Sequence, residues 1–433
     1  MSATSARPDR RAGRAAHTNW AGNVTFGDAV QAPDSVREVQ RLVAASPHAH
    51  AVGTGHSFTP VADTRGALVS TLNLPHRFEL GVSPTTGLPE VTIAAGMTFA
   101  QVAPRLDAEG LALHNMGSLP HISAAGACST GTHGSGDRLS CLAAAVSAVE
   151  MVIAGGELVA LARDHADFAG VFPSLGALGI CTALTFEVQP SFDVAQTVWQ
   201  GIDAETGVDH VDQIMASAYS VSVFTVLDPR LFGDVWVKRR MDEPDADLSR
   251  WGGTPSPHPL RPVPGEAGEG CTVQGGIPGP WFERLPHFTP EMPPSSSGAE
   301  VQTEYYVTRQ HGPAALAALW EIGESVQHAL RVCELRTVAA DGLWLSPACD
   351  DDLLGIHFTW RPDPAAVRSA CRAVEAILEP FNPVPHWGKV SFLDPEPVSS
   401  RYSHIEDVRR LVQRMDPDGV FRNEFTDPYL RVV

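Results

Sequence analysis

The sequence predicts an α+β fold in at least two domains. Three observations carry this. The 433 residues exceed what one hydrophobic core usually organises. Strand-like and helix-like stretches are mixed without a repeating βα unit, which argues against a doubly wound sheet. Composition also shifts after about residue 190, and residues 241–300 become rich in Pro, Gly and Ser.

Composition excludes several function classes. Hydrophobic residues make up 43% of the chain, an ordinary share for a soluble globular protein. The formal charge of −19 comes from 31 basic and 50 acidic residues. That balance argues against a nucleic-acid partner and suits a neutral or cationic small molecule. Seven scattered cysteines form no C-x-x-C pair, so neither a zinc site nor a disulfide framework is expected. Free thiols point to a reducing compartment, the cytoplasm. No run of 18 apolar residues occurs, so no membrane partner is expected. Residues 1–16 carry Arg7, Arg10, Arg11 and Arg14 without an apolar stretch, and read as a disordered tail rather than a signal peptide.

The elements follow in order. Ser35 and Glu38 form a capping-box pattern before Val36, Val39, Leu42 and Val43, which share a helical face. Ala49 to Val52 and Val91 to Ala95 read as strands. Thr98 and Gln101 cap a helix with Phe99, Val102 and Leu106 inward, ended by Gly110. Val146 to Ala154 and Leu158 to Leu161, joined by Gly155-Gly156, read as a hairpin, and Leu184 to Val188 as a further strand. Within 241–300, Trp251, Trp281, Phe282, His287 and Phe288 are interspersed. A long loop with aromatics packs over something, such as a substrate entrance. Pro313 opens a long helix with Leu316, Leu319, Ile322 and Val326 on one face. Strands follow near 334–338 and 353–360, then helices from Pro364 and over 405–415.

Two glycine-rich turns organise the chain. One is Gly53-Thr54-Gly55-His56-Ser57-Phe58, and the other is Thr130-Gly131-Thr132-His133-Gly134-Ser135. Between them lies the small-residue stretch Gly117-Ser118 to Ser123-Ala124-Ala125-Gly126. Glycines let backbone approach a ligand closely, and their N–H groups suit phosphate oxygens. Neither turn is a G-x-G-x-x-G fingerprint or a P-loop, so a bound nucleotide would need another architecture. A single such turn could be a plain tight turn. Two with the same chemistry point to a ligand.

Late in the chain, Glu334 and Arg336 stand two apart on one predicted strand, and His357 and Thr359 on the next. Each pair shares a face, with apolar Leu335, Ile356 and Phe358 opposite. If the strands are neighbours, four polar groups converge. A solvated sheet face with a surface ion pair is the competing reading.

The His56 turn resembles the flavin-attachment loop of vanillyl-alcohol-oxidase-type FAD oxidoreductases. Within that superfamily the chain resembles the alditol (polyol) oxidases over nearly its whole length. The similarity runs through Asn19-Trp20-Ala21-Gly22-Asn23, Ser118-Leu119-Pro120-His121, Ser174-Leu175-Gly176, Glu334-Leu335-Arg336, His357-Phe358-Thr359-Trp360 and His386-Trp387-Gly388-Lys389. The superfamily turn is generic, whereas the late motifs are specific to the polyol branch.

The resemblance implies an α+β, two-domain FAD-binding fold with a substrate domain, or cap, carrying an antiparallel sheet. Residues 17–193 would form the FAD domain, 194–375 the substrate domain, and 376–433 a segment returning to the FAD domain. It implies FAD held by Gly53, Thr54, Gly55, His56, Ser57, Phe58, Ser118, Ser123, Gly126, Thr130, Gly131, Thr132, His133, Ile180 and His386. His56 would be linked covalently to the flavin. His133 is the rival attachment site, on a loop that more resembles the pyrophosphate-facing one. No cysteine near Gly117-Ser118 offers a second link.

The implied reaction oxidises a terminal alcohol of a linear polyol, such as xylitol or sorbitol, by hydride transfer to flavin N5. Oxygen is then reduced to H₂O₂. His357 is the expected base, since an imidazole titrates near neutral pH. Arg336 holds and polarises the reacting hydroxyl, Glu334 fixes Arg336, and Ser118 and Thr359 read further hydroxyls. Lys389 is the expected cation near flavin N1. His121, Trp360 and Trp387 fit packing as well as function. The expected state is a monomer. The alternatives are an aldonolactone oxidase or dehydrogenase, an enzyme that uses an acceptor other than oxygen, and a non-catalytic flavin- or sugar-binding protein.

Overall fold

A computed structural model of the chain describes residues 17–27, 29–264, 270–291 and 300–431. The expected tail at 1–16 and the Pro293-Pro294-Ser295 run lie outside the described residues.

Near the start, strands Val30–Gln31, Ala67–Ser70 and Ala49–Val52 form a small parallel sheet in that spatial order. Helix Val36–Ala45 packs on it through Val39 and Val43. The Ser35 capping box does not form. Ser35 makes no side-chain cap, and Glu38 instead accepts from the Asp34 N–H at 3.2 Å. The glutamate reaches one residue too far back, so the pattern marks the helix start without the reciprocal bonds. At Thr98 both halves of the capping box are present.

An antiparallel sheet of five strands follows: Phe78–Val82, Pro89–Ala94, Ile180–Glu187, Val146–Val152 and Leu158–Ala162, in that order across the sheet. The last two are the expected hairpin. Its turn needs glycine at 156, where φ is +84° and a Cβ would lie 2.5 Å from the Gln40 carbonyl.

The second half is built on an antiparallel sheet of nine strands. Strand Leu330–Val338 lies between Ser220–Thr225 and Leu353–Trp360, and the latter pairs with Val301–Thr308. Apolar residues of one face, among them Leu335, Ile356 and Phe358, bury against helices Gly312–Glu321 and Pro364–Leu378. Asp363 caps the second helix, accepting from the Ala365 N–H at 3.0 Å. The opposite face is free for chemistry.

The helix expected from Pro313 through Val326 is broken at Ile322 into Gly312–Glu321 and Gly323–Val326. At the break a Cβ on Gly323 would lie 2.5 Å from the Leu227 carbonyl, so the chain turns where another backbone crosses. Periodicity cannot register that crossing.

The aromatics of the 241–291 region are anchors. Trp281 buries in the core beneath the five-stranded sheet, and Trp251 in the core of the large sheet. Between Val420 and Asn423 the chain returns to the small parallel sheet. The Ala49 N–H donates to the Val420 carbonyl at 2.8 Å, and Asn423 Nδ2 donates to the carbonyls of Val61 and Asp63 at 2.9 Å each.

Candidate active site

A cleft runs between the two glycine-rich turns and the free face of the large sheet, with about 1990 Å³ of open volume including its solvent mouth. Strand Ala49–Val52 delivers the His56 turn to one wall. The Asn19–Asn23 segment clamps that turn from outside. Asn19 Nδ2 donates to the Ser57 carbonyl and Asn23 Nδ2 to the Phe58 carbonyl, each at 2.8 Å. Trp20 stacks on the His56 ring at 5.6 Å, and its backbone N–H donates to the Gly55 carbonyl at 2.7 Å. His121 lies 5.1 Å from the same ring on another side.

His56 has one committed nitrogen. Nδ1 is 3.0 Å from Thr54 Oγ1, whereas Nε2 is buried without a partner. Burial, with help from His121 and Lys389, lowers its pKa to about 4, so the imidazole is neutral. His133 is different. Its Nδ1 is 2.7 Å from the Gly134 carbonyl, and its Nε2 meets both Tyr306 Oη at 2.7 Å and Glu304 Oε1 at 3.0 Å. Both of its nitrogens are occupied.

The second turn is seated by close backbone packing. A Cβ at Gly134 would strike Asn115 and Met116, and one at Gly53 would strike Ser123 Oγ. At Gly126 a Cβ would lie 2.8 Å from the same hydroxyl. Ser118, Ser123, Gly126, Thr130, Thr132 and His133 all line the cleft. Gly131 and Ile180 do not. Gly131 turns away toward Pro173, with φ +72°, and Ile180 is buried between the lining residues Gly179 and Cys181.

The facing wall carries fixed charge. Glu334, Arg336, His357 and Thr359 are all buried, and all line the cleft. Register explains why. Glu334 pairs with His357, and His357 pairs in turn with Glu304 on the next strand. One imidazole thus stands in a row between two carboxylates. Arg336 Nη2 donates to Glu334 Oε2, and also to Ser118 Oγ at 2.7 Å. It therefore ties the sheet to the small-residue segment across the cleft. Despite burial, the Arg336 charge and the hydrogen bond from His287 hold the Glu334 carboxyl well below its usual range. His357 Nδ1 lies 3.8 Å from Glu334, and both of its ring nitrogens lack a hydrogen-bond partner. Burial and the Lys389 charge push its pKa down to about 3. The expectation of a base titrating near neutral pH is corrected here. The imidazole is neutral throughout the physiological range, with both ring lone-pair and N–H positions unpartnered.

Lys389 follows His386-Trp387-Gly388 into the throat. Its Nζ contacts Gln302 Oε1 and stands 5.1 Å over the Phe58 ring. Burial lowers its pKa to about 8. His386 Nδ1 accepts from the Gly388 N–H at 2.9 Å, which fixes the turn. Trp360 and Trp387 are buried, their indole N–H groups donating to Thr303 Oγ1 and the Leu345 carbonyl at 2.9 Å each. They pack rather than line the cleft.

His133, Glu304 and His386 place ligand-type atoms within 4.8 Å of one another. His133 is already spent on Tyr306 and Glu304, so the cluster reads as a hydrogen-bonded wall. Glu304, Gln302 and His287 were missed by sequence reasoning as site residues. The first two could have been found, because Gln302, Glu304 and Tyr306 alternate along one strand. His287 could not, since its place beside Glu334 depends on how a long loop returns.

The cleft suits FAD. A small-residue cradle fills one wall, His56 carries a buried nitrogen without a partner, and Lys389 supplies a cation in the throat. The family described as an FAD binding domain matches residues 27–162, and the D-arabinono-1,4-lactone oxidase family matches residues 299–429. An alditol oxidase from a Streptomyces species is 42% identical, over 94% of this chain and 97% of that protein. An L-gulono-1,4-lactone dehydrogenase of Mycobacterium tuberculosis is 28% identical over the same shares. Cholesterol oxidase from Brevibacterium sterolicum superposes with a TM-score of 0.77 at 14% identity, covering 99% of this chain and 100% of that one. That likeness establishes the fold alone. No helix among the described residues is long and apolar enough to cross a membrane. This chain belongs to the alditol oxidase family, a branch of the vanillyl-alcohol-oxidase-type FAD oxidoreductases.

Proposed function

We propose that the enzyme oxidises the terminal primary alcohol of a linear polyol, such as xylitol or sorbitol, to the aldehyde, and passes the electrons to O₂ to give H₂O₂. Family membership makes it an FAD-dependent oxidoreductase and sets aside the non-catalytic binding reading. The observation that carries the substrate reading is the row Ser118–Arg336–Glu334 beside an unpartnered, neutral His357.

FAD, when bound, takes the hydride and returns the electrons to oxygen. The chain does the rest. Arg336, always protonated, donates to the reacting hydroxyl and favours its developing negative charge. Glu334 fixes the guanidinium, and each of its oxygens keeps acceptor capacity for a second hydroxyl. His357 accepts the hydroxyl proton. Ser118 and Thr359 bind hydroxyls further along. Lys389 holds positive charge in the throat. Gly53 to Phe58, Ser123, Gly126 and Thr130 to Thr132 seat the cofactor by close backbone approach, with His386 and Gly388 beyond them.

His56 is the proposed covalent attachment residue. Its open nitrogen supports this, as does the full engagement of His133. Residues 17–193 with 376–433 serve as the cofactor side, and 194–375 as the substrate side. The Ala49–Val420 bond supports the return of the C-terminal segment. Every group named comes from one chain, so a monomer suffices. Six of the seven cysteines are buried, which suits a cytoplasmic protein.

The test is flavin fluorescence on a denaturing gel, beside anaerobic visible spectra with and without xylitol. Fluorescence on the band with bleaching by xylitol supports both proposals. Fluorescence without bleaching removes the polyol. A second reading, aldonolactone oxidation, is favoured by the lactone-oxidase family match over 299–429. A kcat/KM higher on L-gulono-1,4-lactone than on xylitol would select it.

A further inference from the structure

Behind the charged wall lies a buried cation with no place in the reaction. Lys238, on strand Asp234–Arg240, is 1% exposed and does not line the cleft. An isolated ammonium there would cost several kcal/mol, so its partners must matter. It has three. Nζ donates to the carbonyls of Leu285 and Pro286, the latter at 3.0 Å, and to His287 Nδ1 at 3.2 Å. The other side of that ring faces the site, with Nε2 3.0 Å from Glu334 Oε1. Phe224 and Trp236 box the ring edge-on at 5.1 and 5.4 Å, so it cannot swing away.

We infer that Lys238 is a positioning residue: its ammonium forces His287 into the Nε2–H tautomer, whose proton holds Glu334, and through Glu334 it aims Arg336 and Ser118 at the substrate. Burial lowers the Lys238 pKa to about 7, so the arrangement holds while the amine is protonated. An ammonium has only donors, so the nitrogen facing it must carry a lone pair. The single ring proton then sits on Nε2, pointing at the carboxylate. An imidazolium would set N–H against N–H. Burial and the Lys238 charge lower the His287 pKa to about 4, consistent with a neutral ring. The charged neighbours of Lys238 are Glu334 and Arg336, with Cys271 nearby, so the ammonium also faces the carboxylate it serves indirectly. The backbone N–H of His287 donates to the Ser118 carbonyl at 3.3 Å, closing the loop on the residue whose hydroxyl Arg336 holds.

Without Lys238 the carboxylate still favours the Nε2 proton, but Nδ1 faces nothing that excludes a second one. The ring can then become an imidazolium, which draws Glu334 away from Arg336. This inference rests on the polyol reading for its rate readout but not for its structural one.

The experiment combines ¹⁵N-histidine NMR of the flavin-loaded protein with steady-state kinetics on xylitol. His287→Gln assigns the signal. At pH 6 the expected wild-type spectrum is the neutral Nε2–H tautomer, and Lys238→Met should shift the signal toward imidazolium. Lys238→Met should lower kcat/KM by on the order of tenfold to a hundredfold with flavin content unchanged. Glutamine has no tautomer to set, and its amide can donate to Glu334. Adding Lys238→Met to His287→Gln should therefore cost under about threefold more. A wild-type Nδ1–H tautomer or imidazolium overturns the inference without any variant. So does a Lys238→Met protein with an unchanged His287 signal, or an equal loss in both backgrounds. If xylitol proves not to be a substrate, the NMR outcome still decides, so the two failures are distinguishable.

Discussion

The two walls of the cleft are made by opposite means. The cofactor wall is backbone and small side chains, held by close approach at Gly53, Gly126 and Gly134 and clamped by Asn19 and Asn23. The substrate wall is fixed charge on rigid strands, with Glu334, Arg336, Glu304 and His357 all buried. A large aromatic cofactor brings its own bulk and charge, so its seat must mainly leave room. A polyol brings only hydroxyls, so its seat must supply the polarity. Substitutions on the first wall should cost loading and stability, and those on the second should cost rate.

The sharpest test of that division is Arg336→Ala. It should lower kcat/KM on xylitol on the order of 10²-fold or more while flavin content stays at the wild-type level. A loss below about threefold, or a parallel loss of flavin, would break the comparison. Gly53→Ala probes the other wall. Its Cβ would collide with Ser123, so flavin occupancy should fall several-fold and the folded state should lose about 1–3 kcal/mol, read by absorbance and thermal unfolding. Protein that does load should turn over near the wild-type rate.

A pH series comes next in size. Lys389 has its pKa lowered to about 8, so it is charged below that pH and loses its charge above it. Wild-type kcat/KM should fall as pH rises past about 8, approaching tenfold per unit, and Lys389→Met should be slow with no such limb. His357, lowered to about 3, is already neutral at pH 5, so no acid limb between pH 5 and 7 should belong to it. His56→Ala should remove flavin fluorescence from the denatured band and leave non-covalent flavin in the native protein. Covalent flavin in that variant would shift attachment to His133. Thr359→Ala should have the smallest effect, a several-fold rise in KM at nearly constant kcat, as for one lost hydroxyl contact.

Legibility from sequence divides along the same line. The cofactor wall is local: Gly53 to Phe58 and Thr130 to Ser135 are contiguous, and their composition announces close backbone approach. The alternation of Glu334 with Arg336, and of His357 with Thr359, likewise exposes a shared face. What the alternation cannot convey is which strand lies alongside. Glu304 enters only through the 301–308 pairing, and Lys238 and His287 only through a loop that closes over 49 positions of sequence. The break at Ile322 and the failed Ser35 cap were illegible for a related reason. Each depends on a few ångströms of tertiary placement rather than on residue type.

The long-range bonds of the His56 turn also bear on how the enzyme is made. The Phe58 N–H is held by the Gly388 carbonyl, the Ala49 N–H by Val420, and the Val61 and Asp63 carbonyls by Asn423. A ribosome releases the flavin turn hundreds of residues before it releases the partners that fix it. The nascent chain therefore has no finished cofactor seat until residue 423 has emerged and folded back. Every strand of the large sheet, the last being Val384–Pro385, precedes these closing partners in the chain, so the segments that complete the flavin seat come after the whole substrate wall.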